Sequence, residues 1–245
     1  VLKSQRQGET SKILTLYTRR FGKLTVIAKG ARSARSKFGG SLEPLNYVAT
    51  VFYEKENREI QFLSQADILN SFAKINASLE RTALAMAACE LVNRLEIGVA
   101  PSPILFKLLL EVLEALNRPL QKPHNCLRAF QVRLLDVLGI RPNLDACKRC
   151  ERPGQDRVAL DIAHGGFICE RCQGRHTPGL QLNSEAFAAL RVFQQEALAD
   201  VNGYLPSSAA QQQVDELLLT YLRFHIEGFT ELNALKFLKK IVAAP

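Results

Sequence analysis

The chain has 245 residues, of which 47% are hydrophobic and 23% are charged, and its formal net charge is +8. This composition excludes an intrinsically disordered protein, and the length allows two or three small domains with a sizeable core. No run of about 18 uninterrupted apolar residues occurs and no secretory segment stands at the start, so we expect no membrane partner. The only methionine is Met86, so we expect a few residues to precede Val1 in the full protein.

The positive charge is concentrated at the start of the chain. Residues 1–40 contain ten Lys or Arg residues and one acid, Glu9, which gives +9, so the rest of the chain is nearly neutral. Such a segment is typical of a polyanion-binding surface. Tyr17 and Phe21 are candidates for base stacking, although aromatic residues on short strands more often fill a core. We predict that seven cations contact nucleic-acid phosphates: Arg19, Arg20, Lys23, Lys29, Arg32, Arg35 and Lys37.

The same segment has the residue pattern of β structure. β-prone or alternating runs cover residues 13–18, 24–29, 45–54 and 59–64, and the polar residues 54–58 predict a hairpin turn between the last two. Several short strands that close on themselves indicate a small barrel. We predict an OB-fold β-barrel in a nucleic-acid-binding domain of residues 1–76, with an SH3-like barrel as the alternative.

After Asp67 the apolar period changes from two to 3.6 residues, which indicates helices. Apolar faces at residues 84–95, 105–116 and 127–138 predict three of them, and Gly98 with Pro101 ends the first. Three more helices are predicted near residues 183–199, 206–228 and 232–242. We therefore predict an α+β protein in which an α-helical bundle, residues 77–142 and 179–245, follows the barrel.

Two Cys-x-x-Cys pairs give the most specific chemical signal: Cys147 with Cys150, and Cys169 with Cys172. Two such pairs close a tetrahedral site that suits Zn²⁺, and four protein ligands leave no open position for catalysis. We predict that residues 143–178 form a four-cysteine structural zinc module inserted into the helical bundle. His164 and His176 are possible substitute ligands.

Redox and disulfide roles suit these cysteines less well. A redox Cys-x-x-Cys occurs singly near a βαβ pattern, and disulfide scaffolds are short and secreted. Cys89 and Cys126 lie in apolar helical patterns and are expected to be buried thiols. All six thiols fit a reducing cytoplasm. No Walker A loop, G-x-S-x-G, His-Glu-x-x-His or G-x-G-x-x-G motif occurs, so we predict that the protein is not an enzyme.

Two functions other than DNA binding stay open from these residues. An OB barrel with a basic loop also suits an RNA-binding factor of translation or the ribosome. The other alternative is a non-catalytic protein-interaction scaffold whose cations only aid solubility.

Six segments, spread over nearly the whole chain, form a distinctive set: residues 8–14 (GETSKIL), 17–24 (YTRRFGKL), 28–32 (AKGAR), 42–45 (LEPL), 138–150 (LGIRPNLDACKRC) and 165–172 (GGFICERC). Together they resemble the bacterial recombination mediator family RecO. The resemblance implies an N-terminal OB-fold, a helical domain and a zinc module.

The resemblance to RecO also implies a function in DNA repair and homologous recombination, through the RecF pathway. It implies binding of single- and double-stranded DNA and annealing of complementary strands. It further implies that the protein acts with RecR to load RecA onto DNA coated by single-strand-binding protein, in the bacterial cytoplasm at the nucleoid.

Overall fold

The computed structural model describes residues 1–95, 101–119, 121–154, 156–174 and 177–242. They form two compact units, one of Val1–Asn117 with Leu232–Pro245 and one of Arg118–Glu231. The first unit holds a five-stranded sheet and four helices, and the second holds the cysteine pairs, a small sheet and three helices. The predicted α+β class is confirmed. Among the described helices, none combines the length and the apolar character needed to cross a bilayer.

The first sheet consists of β1 (Lys3–Gln7), β2 (Ser11–Thr18), β3 (Gly22–Ala28), β4 (Tyr47–Tyr53) and β5 (Ile60–Asn70). Their order is β1-β2-β3-β5-β4, with β3 and β5 parallel and the other neighbours antiparallel. Alternate residues such as Leu14 and Val26 point to one face and are fully buried, because the connection from β3 to β4 covers that face with Phe38 and Leu42.

The predicted closed barrel is wrong, because β1 and β4 remain the two edges of the sheet. A backbone hydrogen bond from Leu45 N to Val1 O (3.0 Å) joins the residues that precede these strands, but the strands do not pair within the described part of the chain. The sequence of β1 is KSQRQ and the strand is mostly exposed, so a ladder with β4 would bury little apolar surface. Its charged side chains also protect an open edge from pairing with another chain.

Four helices accompany this sheet: α1 (Ala73–Asn76), α2 (Leu79–Arg94), α3 (Pro103–Leu116) and α7 (Asn233–Val242). Ser78 and Ser102 cap α2 and α3 by accepting hydrogen bonds from backbone N–H groups of the first turn. The Glu90 carboxylate of α2 accepts the N–H groups of Asn233 and Ala234, and so caps α7. The helices predicted at residues 84–95, 105–116 and 232–242 are confirmed, and Gly98 lies outside the described residues.

The second unit contains α4 (Pro123–Val137), α5 (Ser184–Gln195) and α6 (Ser208–His225), together with the strands β6 (Val158–Asp161), β7 (Gly166–Cys169) and β8 (Leu180–Leu182). The strands form an antiparallel sheet in the order β7-β6-β8. The three helices confirm the predicted ones, whereas the three strands were not predicted from the sequence.

A buried cation joins α4 to α6. Arg128, whose side chain is only 7% exposed, forms a two-point ion pair with Asp215, with N–O distances of 2.7 and 2.8 Å. It also donates hydrogen bonds to Asn125 and Gln211. All the polar contacts of this guanidinium are therefore made inside the second unit.

The two compact units divide the chain at positions other than the predicted domain boundaries. Residues 77–117 and the C-terminal helix group with the N-terminal sheet, whereas α4, α5 and α6 group with the cysteine segment. The three domains, residues 1–76, 77–142 with 179–245, and 143–178, stay a prediction.

Candidate metal centre and nucleic-acid interface

The four predicted metal ligands come together in the second unit. Cys147 and Cys150 flank a turn before β6, Cys169 ends β7, and Cys172 ends the 3-10 turn that follows. Their Sγ atoms all lie within 4.8 Å of one another, and the Cys150 and Cys169 Sγ atoms are 3.7 Å apart. The predicted clustering of these cysteines is confirmed.

A tight backbone turn shapes the first cysteine pair. Glu151 N donates to Cys147 O at 2.9 Å, and Cys147 N donates to Arg152 O at 2.8 Å. Glu151 has a φ of 58°, a left-handed conformation that residues with a Cβ rarely adopt. The surrounding chain directs the N–H groups of Arg149 (3.5 Å) and Cys169 (3.3 Å) toward Cys147 Sγ, and such donors favour the thiolate form of the side chain.

The electrostatics of the cluster favour one thiolate and oppose further ionisation. Burial raises the pKa of Cys147, but hydrogen bonds from the backbone of Cys169, Arg149 and Cys150 outweigh it, and the pKa falls to about 6. Hydrogen bonds with the thiols of Cys150 and Cys169 raise the pKa of Cys172 to about 12. A divalent cation at the centre of the four sulfurs would stabilise the thiolates and so allow the remaining thiols to ionise.

One pair of sulfurs in the cluster has the separation expected at a tetrahedral metal site. With metal–sulfur bonds of about 2.3 Å, two sulfurs of a tetrahedron lie about 3.8 Å apart, close to the 3.7 Å between Cys150 and Cys169. His164 is bound elsewhere, because its Nδ1 lies 3.0 Å from Asp161 Oδ2, and His176 lies outside the described residues. The four cysteines could hold a metal ion.

The segment that carries the cysteines packs against α5. The rings of Phe167 on β7 and Phe187 on α5 have centroids 4.8 Å apart. Gly154 passes between them so closely that a Cβ there would lie 2.7 Å from Phe187 and 2.8 Å from Phe167. The loop between the cysteine pairs is therefore anchored to the helices by packing as well as by the cluster.

The seven predicted phosphate contacts are all exposed on the first unit, but they lie at opposite ends of the β2–β3 hairpin. We call Arg19, Arg20 and Lys23 the tip group, because they lie at the turn where Thr18 pairs with Gly22. We call Lys29, Arg32, Arg35 and Lys37 the loop group, because they lie on the β3–β4 connection. Strand β3 has seven residues, so about 20 Å separates the two groups.

Two of the seven cations donate hydrogen bonds to backbone carbonyls of the protein. Lys23 Nζ donates to the carbonyls of Asn93 (3.2 Å) and Leu95 (3.5 Å) at the end of α2. Arg32 donates to the carbonyls of Gly8 (3.2 Å) and Glu9 (2.9 Å) and so joins the β1–β2 turn to the loop group. Since a carbonyl of the chain and a phosphate compete for the same donors, Lys23 and Arg32 are weaker candidates than the other five.

Family models match almost the whole chain. Recombination protein O N terminal matches residues 1–72, and Recombination protein O C terminal matches residues 76–233. The chain belongs to the RecO family. The resemblance of the six sequence segments to RecO is therefore confirmed, and the family is one of DNA repair and recombination proteins.

Three relatives from different bacteria bear the name DNA repair protein RecO. The relative from Anaeromyxobacter sp. (strain K) is 33% identical over 242 residues, 98% of this chain and 94% of the relative. That from Salinibacter ruber is 34% identical over 230 residues, 93% of this chain and 86% of the relative. That from Shouchella clausii is 28% identical over 241 residues, 98% and 92% of the two chains. The similarity to RecO thus spans both compact units.

Two aromatic residues of this RecO-family chain lie outside the core position that the sequence predicted for them. Neither Tyr17 nor Phe21 belongs to the core of the sheet, so the preferred interior position is wrong, and Phe21 is 41% exposed with its ring against Phe52. Tyr53 and Phe62, which the sequence reasoning missed, are paired neighbours on β4 and β5. Tyr53 alternates with Phe52, which packs against the core, and this alternation could have placed Tyr53 on the outer face.

Proposed function

We propose that this RecO-family protein is a recombination mediator in DNA repair. It binds single- and double-stranded DNA, anneals complementary strands, and acts with RecR to help RecA onto single strands coated by single-strand-binding protein. It acts in the bacterial cytoplasm at the nucleoid and catalyses no reaction. The observation that carries the proposal is the loop group, four exposed cations on one connection of the sheet. Membership of the family supports it.

The physical account of annealing needs only charge. Two single strands repel each other through their phosphates, and a cationic surface that contacts both strands lowers that repulsion. Each phosphate contact releases counterions, so affinity should fall with salt concentration, by a slope of about −0.7 per contact for single strands and −0.9 for duplex. Arg35 and Lys37, which are exposed on the connection, would serve either form of DNA because they contact no base.

We propose that the cysteine cluster holds Zn²⁺ as a structural ion. When bound, Zn²⁺ links four thiolates and has no open position for a substrate. Three features of the chain position the cysteines for such a site: the backbone turn at Glu151, β7 with its 3-10 turn, and the N–H groups directed at Cys147. Support for zinc comes from the all-sulfur ligand set and from the closeness of the four sulfurs, which all lie within 4.8 Å of one another.

Annealing of complementary oligonucleotides tests the DNA function. Both strands are coated with single-strand-binding protein, ATP is left out, and annealing is followed with and without RecR. We expect the protein to accelerate annealing, and Arg32→Glu with Arg35→Glu to remove the acceleration. The matched control is Lys236→Glu with Lys240→Glu, which makes the same change of net charge on exposed positions of α7. If both double variants lost the acceleration of annealing equally, the loop group would be refuted as the DNA-binding surface.

Competition between single-stranded DNA and RNA of equal length separates the proposal from an RNA-binding function. We expect DNA to compete at least as well as RNA. A strong preference for RNA would overturn the recombination function, whereas failure to bind either polymer would favour a protein-interaction scaffold.

A further inference from the structure

A row of side chains crosses the face of the first sheet that is opposite the core. The register pairs Ile13 with Gln5 on one side and with Ile27 on the other, then Ile27 with Phe62, and Phe62 with Tyr53. The row therefore crosses all five strands in their spatial order. Paired residues on neighbouring strands lie about 5 Å apart, so its two aromatic residues are adjacent.

The aromatic end of this outer row is open. Tyr53 is 65% exposed, and Ile60 near it on β5 is 40% exposed, whereas Leu14, Val26 and Leu63 on the opposite face are buried. Because directly paired residues on neighbouring strands point to the same face of a sheet, Tyr53 and Phe62 share the face of the rest of the row. The outer face thus presents the exposed Tyr53 beside the half-buried Phe62.

A cation of the loop group reaches this aromatic surface. Lys29 lies two residues after Ile27, on the same face, and its Nζ is 4.8 Å from the centroid of the Phe62 ring. On the other side, the β4–β5 turn carries three exposed glutamates, Glu54, Glu56 and Glu59, interleaved with two exposed cations, Lys55 and Arg58. The surface is therefore cationic at one border and nearly neutral at the other.

We propose that Tyr53 and Phe62 stack on unpaired bases of a bound single strand, while its phosphates lie toward Lys29 and the loop group. This inference rests on the proposed DNA function and names the part of the ligand that the sheet face contacts. The charge pattern favours this occupant, because a nucleotide has an anionic side and an uncharged π-face. The excess of positive charge at Lys29 and the loop group attracts the phosphates and so directs the backbone to that border.

A comparison of two oligomers of about 16 units, the upper site size of such a domain, tests the inference. One is oligothymidylate, and the other is a base-free oligomer with the same phosphates. We expect the wild type to bind oligothymidylate roughly tenfold more tightly. Tyr53→Ala should remove most of that preference and leave the affinity for the base-free oligomer unchanged, and Tyr53→Trp should keep the preference.

The matched control is Phe224→Ala, which removes an aromatic side chain of similar exposure (60%) from α6 and should change neither affinity. Because the chain has no tryptophan, the Tyr53→Trp variant also reports stacking directly, as quenching of its fluorescence by oligothymidylate but not by the base-free oligomer. Circular dichroism of Tyr53→Ala checks that the exposed substitution leaves the fold intact.

The outcomes separate this inference from the function on which it rests. Equal affinity of the wild type for the two oligomers, or an equal effect of Tyr53→Ala on both, overturns base stacking and leaves DNA binding through phosphates standing. Absence of binding to either oligomer at low salt overturns both.

Discussion

The salt dependence of DNA binding tests which of the seven cations contact phosphates, because their surroundings differ. Arg35 is exposed on the β3–β4 connection, and the described part of the chain offers it no hydrogen bond or ion pair. Lys23 is also exposed, but its Nζ donates to two carbonyls at the end of α2. Replacing either residue by alanine removes one positive charge, so net charge alone predicts the same effect for both.

The structure predicts different effects for the two replacements. If Arg35 contacts one phosphate, Arg35→Ala should reduce the slope of log affinity against log salt by about 0.7 on a single strand and 0.9 on a duplex. Lys23→Ala should leave the slope nearly unchanged and instead lower the free energy of unfolding by about 0.5 kcal/mol, because the carbonyls at the end of α2 lose a cation.

Fluorescence anisotropy of a labelled oligonucleotide over a range of salt concentrations gives the slopes, and urea unfolding gives the stabilities. Lys107→Ala is the control, since Lys107 is exposed on α3 and pairs only weakly with Glu111 at 3.6 Å; neither slope nor stability should change by much. A slope that falls as much in Lys23→Ala as in Arg35→Ala would refute the reasoning, because contact with the protein would then not reduce the contribution of a cation to DNA binding.

Three further predictions concern the second unit. Cys150→Ser should release the metal, as measured by native mass spectrometry, and lower the melting temperature, whereas Cys126→Ala should keep the metal because that thiol lies outside the cluster. Asp215→Ala should cost about 2 to 3 kcal/mol in urea unfolding, since it leaves the buried Arg128 without its carboxylate, although water reaches the half-exposed Asp215 position and reduces the cost. Gly154→Ala should destabilise the protein by at least 1 kcal/mol, because the new Cβ meets two aromatic rings; unchanged stability would show that the rings can move apart.

The parts of the fold that the sequence predicted are those with local signals. The Cys-x-x-Cys spacing brings two thiols together within one turn, so each half of the cluster follows from residues a few positions apart. The helices have apolar faces at a period of 3.6 and serine caps such as Ser102. Strand β1 has no such signal, because its residues KSQRQ do not alternate, and the strands of the cysteine segment are only three or four residues long.

Other features depend on contacts between distant residues. Whether a sheet closes is decided at its edges, by pairs such as β1 and β4 that lie about forty residues apart. The seven cations read as one basic segment in the sequence, but the register of the β2–β3 hairpin places Arg20 and Arg35 at opposite ends of it. Likewise the parallel pairing of Ile27 with Phe62 makes Tyr53 and Lys29 borders of one surface, and no local pattern contains that pairing.

The two kinds of contact proposed for the first unit, with phosphates and with bases, predict that single strands and duplex bind to it differently. Phosphates are available in both forms, so the loop group serves both, but bases can reach Tyr53 and Phe62 only while they are unpaired. When two strands anneal, the product therefore loses the base contacts and keeps the phosphate contacts. Because affinity for duplex falls more steeply with salt per phosphate contact than affinity for single strands does, rising salt shifts the preference further toward the unpaired strand. Under the proposed function, the surface therefore releases the annealed product more readily as salt rises, and it becomes free to act on the next pair of strands.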